Sequence, residues 1–222
     1  CPVVKRPKKN AGDDERAALQ AVAREKPDMV LFPGDYIQAD GAKDYALARR
    51  EFTAYMRALP LAPPLGVFAV EGNQERNMFE NGNWTAIFTP IASLKYATFE
   101  RTETRVSGEV AVTGLTLDDS FDRTLSIAAT LPFHIVVGHA PDFALGNIEA
   151  DLLVAGHTHG GQWRLPYVGC LWGNDRIHPR YAWGLHRIGQ TQLHVSAGLG
   201  TSLPIHARIN CPPEITILTL RP

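Results

Sequence analysis

The sequence contains no run of about 18 or more apolar residues, the length that a helix needs to cross a bilayer. It has three cysteines, Cys1, Cys170 and Cys211, which are too few for a disulfide framework, although a Cys170–Cys211 bridge stays open. Basic and acidic side chains number 22 and 23, and the formal net charge is −1. Without a bulk positive charge, nucleic acid is not expected as a partner. The remaining composition is that of a globular protein, with 45% hydrophobic residues over 222 positions.

One local departure from charge balance is the basic cluster Lys5, Arg6, Lys8 and Lys9. A solvated chain end is the expected interpretation, and a patch for phosphate or anionic lipid stays open. We expect a cytoplasmic or membrane-peripheral protein. The removal of an N-terminal anchor or signal stays open as well.

Helical and strand patterns alternate through the first half of the chain, which favours an α/β fold. Apolar stripes at helical spacing predict helices over about 13–25 and 42–59. Alternation predicts a hairpin over 95–117 that turns at Ser107-Gly108, and a short helix is expected near 121–129. Short apolar runs predict buried strands. These strands lie at 29–32, 67–70, 133–137, 151–155, 192–197 and 215–220.

Four of the predicted strands end in a glycine followed by a polar residue that can bind a metal. The turns are Gly34-Asp35, Gly72-Asn73, Gly138-His139 and Gly156-His157-Thr158-His159. Taken alone, the His-x-His pair also fits a polar loop with two solvated histidines. In an open α/β sheet, however, sites lie beyond the carboxyl ends of the strands, so four such turns would converge. Asp, Asn and His form a ligand set suited to Zn, Mn, Fe or Ni, and one carboxylate can bridge two ions about 3.5–4 Å apart.

These turns resemble the calcineurin-like metallophosphoesterase family, whose pattern is D-x-H, G-D, G-N-H-[DE], a His after a strand, and G-H-x-H. The matching segments here are Gly34-Asp35, Gly72-Asn73-Gln74-Glu75, Gly138-His139 and Gly156-His157-Thr158-His159. The longer GHTHGGQ form, followed by Leu165-Pro166, is similar to the bacterial YkuE/YaeI-type branch, which includes a UDP-2,3-diacylglucosamine pyrophosphatase. The resemblance implies a single domain over residues 1–222. Its implied fold is a four-layer α/β-β-α sandwich of two mixed sheets flanked by helices.

The resemblance also implies a dinuclear centre of two divalent ions, with Mn, Zn, Fe or Mg as candidates. Asp35 would bridge both ions, and His159 would bind the first. Asn73, His139 and His157 would bind the second. A hydroxide between the ions would attack phosphorus in line. The implied activity is hydrolysis of a phosphodiester or pyrophosphate in a phosphorylated small molecule or lipid.

Two departures from the family pattern bear on this activity. Residues 1–12 contain no D-x-H motif, which would supply an Asp and a His to the first ion. We expect this motif and the first strand to precede Cys1, with a degenerate first site as the alternative. Gln74 stands where the family has a His, and Gln can hydrogen-bond phosphate but cannot act as a general acid. Gln74 still belongs to the expected catalytic set with Asp35, Asn73 and His139. The alternative function is a catalytically impaired homologue that binds metal or phosphate.

A cluster of aromatic residues follows the metal motif: Trp163, Tyr167, Trp172, Tyr181 and Trp183. We expect them to pack under a long loop, and an aromatic rim for a lipid or nucleotide stays open. The same region contains the arginines Arg164, Arg176, Arg180 and Arg208. Most of these are expected at the surface, with phosphate binding as the alternative. His134 is expected to be structural, and Asp142 to orient His139.

Overall fold

A computed structural model describes residues 11–37, 42–58, 61–78, 85, 96–131, 133–170, 177–201 and 207–221. Its helices are α1 (Ala11–Glu25), α2 (Ala42–Ala58), α3 (Asn73–Met78) and α4 (Leu117–Ser120). Its strands are β1 (Val30–Phe32), β2 (Val67–Val70), β3 (Tyr96–Phe99), β4 (Glu103–Ser107), β5 (Val110–Gly114), β6 (Ser126–Ile127), β7 (Phe133–Val137), β8 (Asn147–Ile148), β9 (Leu152–Ala155), β10 (Arg164–Leu165), β11 (Gly169–Cys170), β12 (Gly184–Ile188) and β13 (Thr191–Val195). Short 3-10 turns span Pro141–Leu145, His159–Gly161 and Pro179–Tyr181.

Helices α1 and α2 form where apolar residues recur at helical spacing, so both predicted helices are confirmed, with small differences at their ends. Their apolar stripes pack on one face of strands β1 and β2. The residues of this first core include Leu19, Val22, Tyr45, Ala48, Phe52, Met56, Val30, Val67 and Ala69. The burial of these stripes stabilises the helices more than their intrinsic propensity does.

The strands form a smaller and a larger sheet, together with two short two-stranded pairings. The smaller sheet has the order β1-β2-β3, and its described strands are all parallel. The larger sheet has the order β12-β13-β9-β7-β5-β4, in which the outer pairs β12–β13 and β5–β4 are antiparallel and the inner pairs are parallel. The larger sheet is therefore mixed as expected, whereas the described part of the smaller sheet is not. The predicted hairpin at Ser107-Gly108 is confirmed as β4–β5.

The two sheets face each other across a shared core. Phe68 and Val70 point away from the helices, because successive side chains in a strand alternate between its faces. They pack with Phe99 and with residues of the larger sheet, namely Val112, Ile135, Val137, Leu152 and Val154. The far face of the larger sheet packs on the turn Pro141–Leu145. In the described part of the chain this face is covered by short turns rather than long helices, so the four-layer arrangement stays a prediction, as does the single-domain boundary.

Two predicted elements are wrong. No helix spans 121–129: the chain turns after α4 because the Asp122 carboxylate accepts hydrogen bonds from the Thr124 backbone and hydroxyl, and β6 follows. No strand spans 215–220, where a closing strand was expected. Residues 217–220 are exposed and pair with no strand among the described residues.

The remaining predictions concern the cysteines, membrane-spanning helices and the basic cluster. Cys170 and Cys211 are both free thiols, so the bridge between them is not formed. No described helix is both long enough and apolar enough to span a membrane. The basic cluster near Lys5, together with Trp172 and Arg176, lies outside the described residues.

Candidate metal centre

Polar residues from four strand ends meet at one edge of the two sheets. Asp35 follows β1, Asn73 begins α3 after β2, His139 follows β7, and His157 follows β9. One ligand atom from each of Asp35, His139 and His157 lies within 4.8 Å of the other two. Asn73 Oδ1 lies 2.9 Å from His139 Nε2. The fold thus brings together four of the five residues that the sequence predicts as metal ligands.

His139 is the central member of this group, and its side chain is 0% exposed. Its Nδ1 donates a hydrogen bond to the carbonyl oxygen of Pro33 at 2.7 Å, so Nε2 is the nitrogen that faces the other candidate ligands. Nε2 lies 3.0 Å from His157 Nδ1 and 3.5 Å from Asp35 Oδ2. Amide and carboxylate oxygens are acceptors too, so several lone pairs face one another. One proton relieves only one of these contacts, whereas one cation relieves all of them.

The spacing of these atoms fits a divalent ion. Nitrogen and oxygen ligands lie about 2.0–2.2 Å from Zn²⁺, so two ligands of one ion lie roughly 3–3.5 Å apart. The contacts of 2.9, 3.0 and 3.5 Å around His139 Nε2 are close to that range. The bond from Nδ1 to Pro33 holds the ring in the way that metal-binding histidines are usually held. Asp35, Asn73, His139 and His157 are therefore residues that could hold a metal.

Two glycines let the turns after β1 and β2 touch each other. Gly34 has a φ of +87°, and a Cβ there would lie 2.7 Å from the Gly72 backbone and from His139 Nδ1. A Cβ on Gly72 would lie 2.3 Å from both N and Oδ1 of Asp35. No side chain fits at such distances, so both glycines are required to bring Asp35 against the turn that carries Asn73.

Glu75 joins the same two turns from their buried side. Its Oε2 accepts hydrogen bonds from the backbone N–H groups of Asp35 at 2.7 Å and Gly72 at 2.9 Å, and its Oε1 accepts one from Tyr36 at 2.8 Å. Burial, to which the charge of Asp35 adds, raises the pKa of Glu75 from 4.5 to about 8, although the three N–H bonds act in the opposite direction. Sequence reasoning gave Glu75 no role. The available signal was its acidic position at the end of the G-N-x-E motif.

Asp35, His157 and His159 all have left-handed backbone conformations, with φ values of 58°, 66° and 50°. Such a conformation costs roughly 1 kcal/mol or more for a residue other than glycine, so the surrounding contacts must maintain it. The Gln74 backbone N–H donates to Asp35 Oδ1 at 2.9 Å. The His157 ring packs edge-on against Phe121, with 5.3 Å between the ring centroids. Three of the seven non-glycine residues with positive φ among the described residues are therefore candidate ligands.

His159, the fifth predicted ligand, lies outside the cluster of Asp35, His139 and His157. Its Nδ1 faces the Gly200 carbonyl oxygen at 3.2 Å. Burial, with a further effect from the positive charge of Arg208, lowers the pKa of His159 below its ordinary value. The imidazole is therefore neutral near pH 7, and the bond to Gly200 leaves the lone pair on Nε2.

Arg208 anchors the turn that carries His159, a role that sequence reasoning missed. Its guanidinium donates to the carbonyl oxygens of His159 at 3.1 Å, Ala197 at 2.6 Å and Gly198 at 3.2 Å, and also to that of Gly200. Burial lowers the pKa of Arg208 from its ordinary value. Because its donors are directed at backbone carbonyls, Arg208 acts as an internal brace rather than as a phosphate clamp. No sequence signal distinguished it from the other arginines.

The roles predicted for Asp142 and His134 have opposite outcomes. Asp142 forms an ion pair with Arg123 at 2.8 Å, and the Pro33 carbonyl rather than Asp142 orients His139, so that expectation is wrong. His134 is structural, as expected: it is buried at 1% exposure, with its Nε2 2.7 Å from the hydroxyl of Thr113.

The aromatic cluster divides into packed and exposed members. Trp163 and Trp183 are partly buried, and their indole N–H groups donate to Ala207 at 3.0 Å and Glu214 at 2.7 Å. Tyr167 is fully exposed. The packing interpretation therefore holds for the two tryptophans and for Tyr181, which packs against the core of the larger sheet, and it is wrong for Tyr167.

Comparison with known proteins agrees with this geometry. The calcineurin-like phosphoesterase family matches residues 12–161. The chain is 28% identical to the uncharacterized metallophosphoesterase YkuE of Bacillus subtilis over 94% of this chain and 73% of YkuE. It is 32% identical to the phosphodiesterase YaeI of Escherichia coli over 91% of this chain and 74% of YaeI. An uncharacterized metallophosphoesterase of Aquifex aeolicus is 29% identical over 89% and 74% of the two chains. The chain therefore belongs to the calcineurin-like phosphoesterase family.

Proposed function

We propose that this protein is a metal-dependent phosphoesterase that hydrolyses a phosphodiester or pyrophosphate bond in a phosphorylated small molecule or lipid. The observation that carries the proposal is the convergence of acceptor atoms from Asp35, Asn73 and His157 on His139 Nε2. A single cation would satisfy these acceptor atoms together. The relative YaeI, at 32% identity, is named a phosphodiesterase, which supports the reaction class.

We further propose two ions, with Asp35 bridging both and His159 binding the first. Asp35 Oδ2 faces His139, while Oδ1 accepts the Gln74 N–H, which fixes the orientation of the carboxylate. His159 keeps a neutral ring with its lone pair on Nε2, as a metal ligand requires. Bound divalent ions would supply Lewis-acid stabilisation of phosphoryl oxygens and lower the pKa of a coordinated water.

The chain's own residues set a limit on the leaving group. Gln74 can donate a hydrogen bond to a phosphoryl oxygen, but it cannot give a proton to a departing alkoxide. The enzyme should therefore prefer leaving groups that depart without protonation, such as a phosphate of a pyrophosphate or an acidic phenol. This preference supports a pyrophosphate or activated diester over a simple alkyl ester.

A second candidate function is metal or phosphate binding without turnover. It is favoured by the position of His159 outside the tight cluster and by Gln74 in place of the family His. The first candidate requires both hydrolysis and metal at Asp35, His139 and His157. The second requires no hydrolysis, and its phosphate-binding form requires no metal.

The test is hydrolysis of bis-(p-nitrophenyl) phosphate and of a nucleotide sugar by protein first treated with chelator and then supplied with Mn²⁺. Turnover should depend on Mn²⁺ and should fall by at least about 100-fold in Asp35→Asn. The matched control is Asp28→Asn, because Asp28 is exposed and lies at the opposite end of β1. Metal binding without turnover of either substrate would favour the binding function. No metal binding would reject the hydrolase, and absence of both metal and phosphate binding would reject both candidates.

A further inference from the structure

The hairpin β10–β11 carries an exposed apolar tip, formed by residues 165–168 and here called the apolar tip. Leu165 is 46% exposed, Val168 is 68% exposed and Tyr167 is fully exposed. Ile209, 41% exposed, lies beside the base of the hairpin. Large apolar side chains gathered at a protruding turn indicate a surface that contacts something other than water.

The base of the hairpin is firmly held, so the apolar tip is a fixed feature of the fold. The Arg164 N–H donates to the Ile209 carbonyl at 3.0 Å, and the Ile209 N–H donates to that of Gln162 at 2.8 Å. The Asn210 side-chain amide donates to the Arg164 carbonyl at 3.0 Å, and the Trp163 indole donates to that of Ala207. These hydrogen bonds hold the base of the hairpin against residues 207–210 and so fix the position of the apolar tip.

The charged neighbours of the apolar tip are cationic. Arg180 is exposed on the turn Pro179–Tyr181, which packs against β11. The segment 152–170, which contains the whole hairpin, has one arginine and no acidic residue. An apolar point with cationic neighbours is complementary to an anionic lipid bilayer, whose headgroups attract arginine and whose interior accepts the apolar side chains.

We propose that the apolar tip inserts into the interface of an anionic lipid bilayer and docks the protein on the membrane surface. Tyrosine suits this position because its ring is apolar and its hydroxyl stays hydrated at the headgroup level. A protein partner is less well matched, because a stable protein interface covers about 800 Å² per partner, far more than a few side chains at one turn. The bilayer is therefore the occupant that fits the size, shape and charge of this surface.

Docking in this way would bring the candidate metal centre close to the headgroup layer. The Arg164 guanidinium donates to the Gly160 carbonyl at 3.1 Å, which joins the hairpin directly to the turn that carries His159. The proposal goes beyond hydrolysis and does not depend on it, because membrane binding is measured without substrate.

The experiment is flotation of the purified chain with vesicles that contain phosphatidylglycerol and, in parallel, with phosphatidylcholine vesicles. The wild type should bind the phosphatidylglycerol vesicles, more weakly at high salt. The double variant Tyr167→Ser and Val168→Ser should bind about 10-fold less, because its apolar tip is lost. The matched control is Val106→Ser, since Val106 is 60% exposed on β4, at the far edge of the larger sheet. The control should bind as the wild type does.

Three results would overturn the proposal. The wild type could fail to bind phosphatidylglycerol vesicles, or the double variant could bind them as well as the wild type. A concentration-dependent dimer that requires Tyr167 and Val168, without vesicle binding, would identify a second copy as the occupant. The thermal midpoint of the double variant should match that of the wild type, because both side chains are exposed. Failure of the proposed hydrolysis would leave these outcomes unchanged, so the two proposals can fail separately.

Discussion

Replacement of Glu75 by Gln tests how the candidate site is held together. Glu75 is 1% exposed, and it accepts three N–H bonds from Asp35, Tyr36 and Gly72. The substitution keeps the size of the side chain and one carbonyl oxygen. That oxygen can still accept two of the N–H bonds. The new amide NH₂ group must then face the third backbone N–H. Because both groups are donors, that N–H is left without an acceptor.

The expected loss in the free energy of unfolding follows from that count. One buried N–H without an acceptor costs about 1–3 kcal/mol, and the other amide orientation would leave two such groups. We therefore expect Glu75→Gln to lower the free energy of unfolding by about 1–3 kcal/mol near pH 6. The hydrogen bond from the Asp35 N–H to Glu75 holds Asp35 in place. Its loss should therefore also lower the affinity for Mn²⁺ about 10-fold or more.

The same variant predicts a pH dependence. The folded state raises the pKa of Glu75 to about 8 from 4.5, so the carboxyl stays protonated in the folded state while the unfolded chain ionises. This stability contribution is fully present below pH 4.5 and is lost as the pH rises toward about 8, by at most roughly 4–5 kcal/mol. Gln does not titrate. The deficit of Glu75→Gln should therefore shrink, or reverse, between about pH 5 and pH 9.

The assay is urea unfolding across that pH range with chelator present, since a bound cation would alter the titration of Glu75. The matched control is Glu51→Gln, which makes the same substitution at an exposed position of α2. That loss should be at most about 0.5 kcal/mol. A Glu75→Gln deficit equal to the Glu51→Gln deficit, or one that grows as the pH rises, would refute the reasoning.

Three further predictions concern the same site. Gly72→Ala places a Cβ 2.3 Å from Asp35 N and Oδ1, so the affinity for Mn²⁺ should fall about 10-fold or more. Competition with a fluorescent chelator measures this affinity, and an unchanged value would contradict the geometry. Gln74→His restores a general acid, so turnover of esters with poor leaving groups should rise about 10-fold or more, while esters of acidic phenols change little. The plot of log kcat against leaving-group pKa should flatten, and an unchanged slope would remove Gln74 from the chemistry. Arg208→Met leaves the carbonyls around His159 without their donor, so the thermal midpoint should fall by several degrees, about 2 kcal/mol in stability, as calorimetry would show.

The sequence predicts the parts of the site that come from strand ends. An apolar run followed by glycine and a polar residue predicts both the strand and a candidate ligand, and the fold does bring Asp35, Asn73, His139 and His157 together. The carboxyl ends of parallel strands gather at one edge, so the pattern also predicts that these residues converge.

The contacts that position those ligands could not be predicted in this way. The Pro33 carbonyl that fixes His139 lies 106 residues away in the chain, and it is a backbone atom that any residue supplies. Arg208 likewise meets His159 through backbone carbonyls. Such contacts depend on how loops fold over one another, and periodicity carries no information about them. The helix expected near 121–129 failed for a related reason, since the side chain of Asp122 competes for the backbone.

The most direct test of the central claim is anomalous diffraction from a crystal soaked in Mn²⁺. The account predicts an anomalous peak bounded by Asp35, Asn73, His139 and His157, with His139 bound through Nε2 and its Nδ1 still donating to Pro33. A crystal that binds Mn²⁺ elsewhere, or that keeps a direct hydrogen bond between His139 and His157 with no ion, would contradict it.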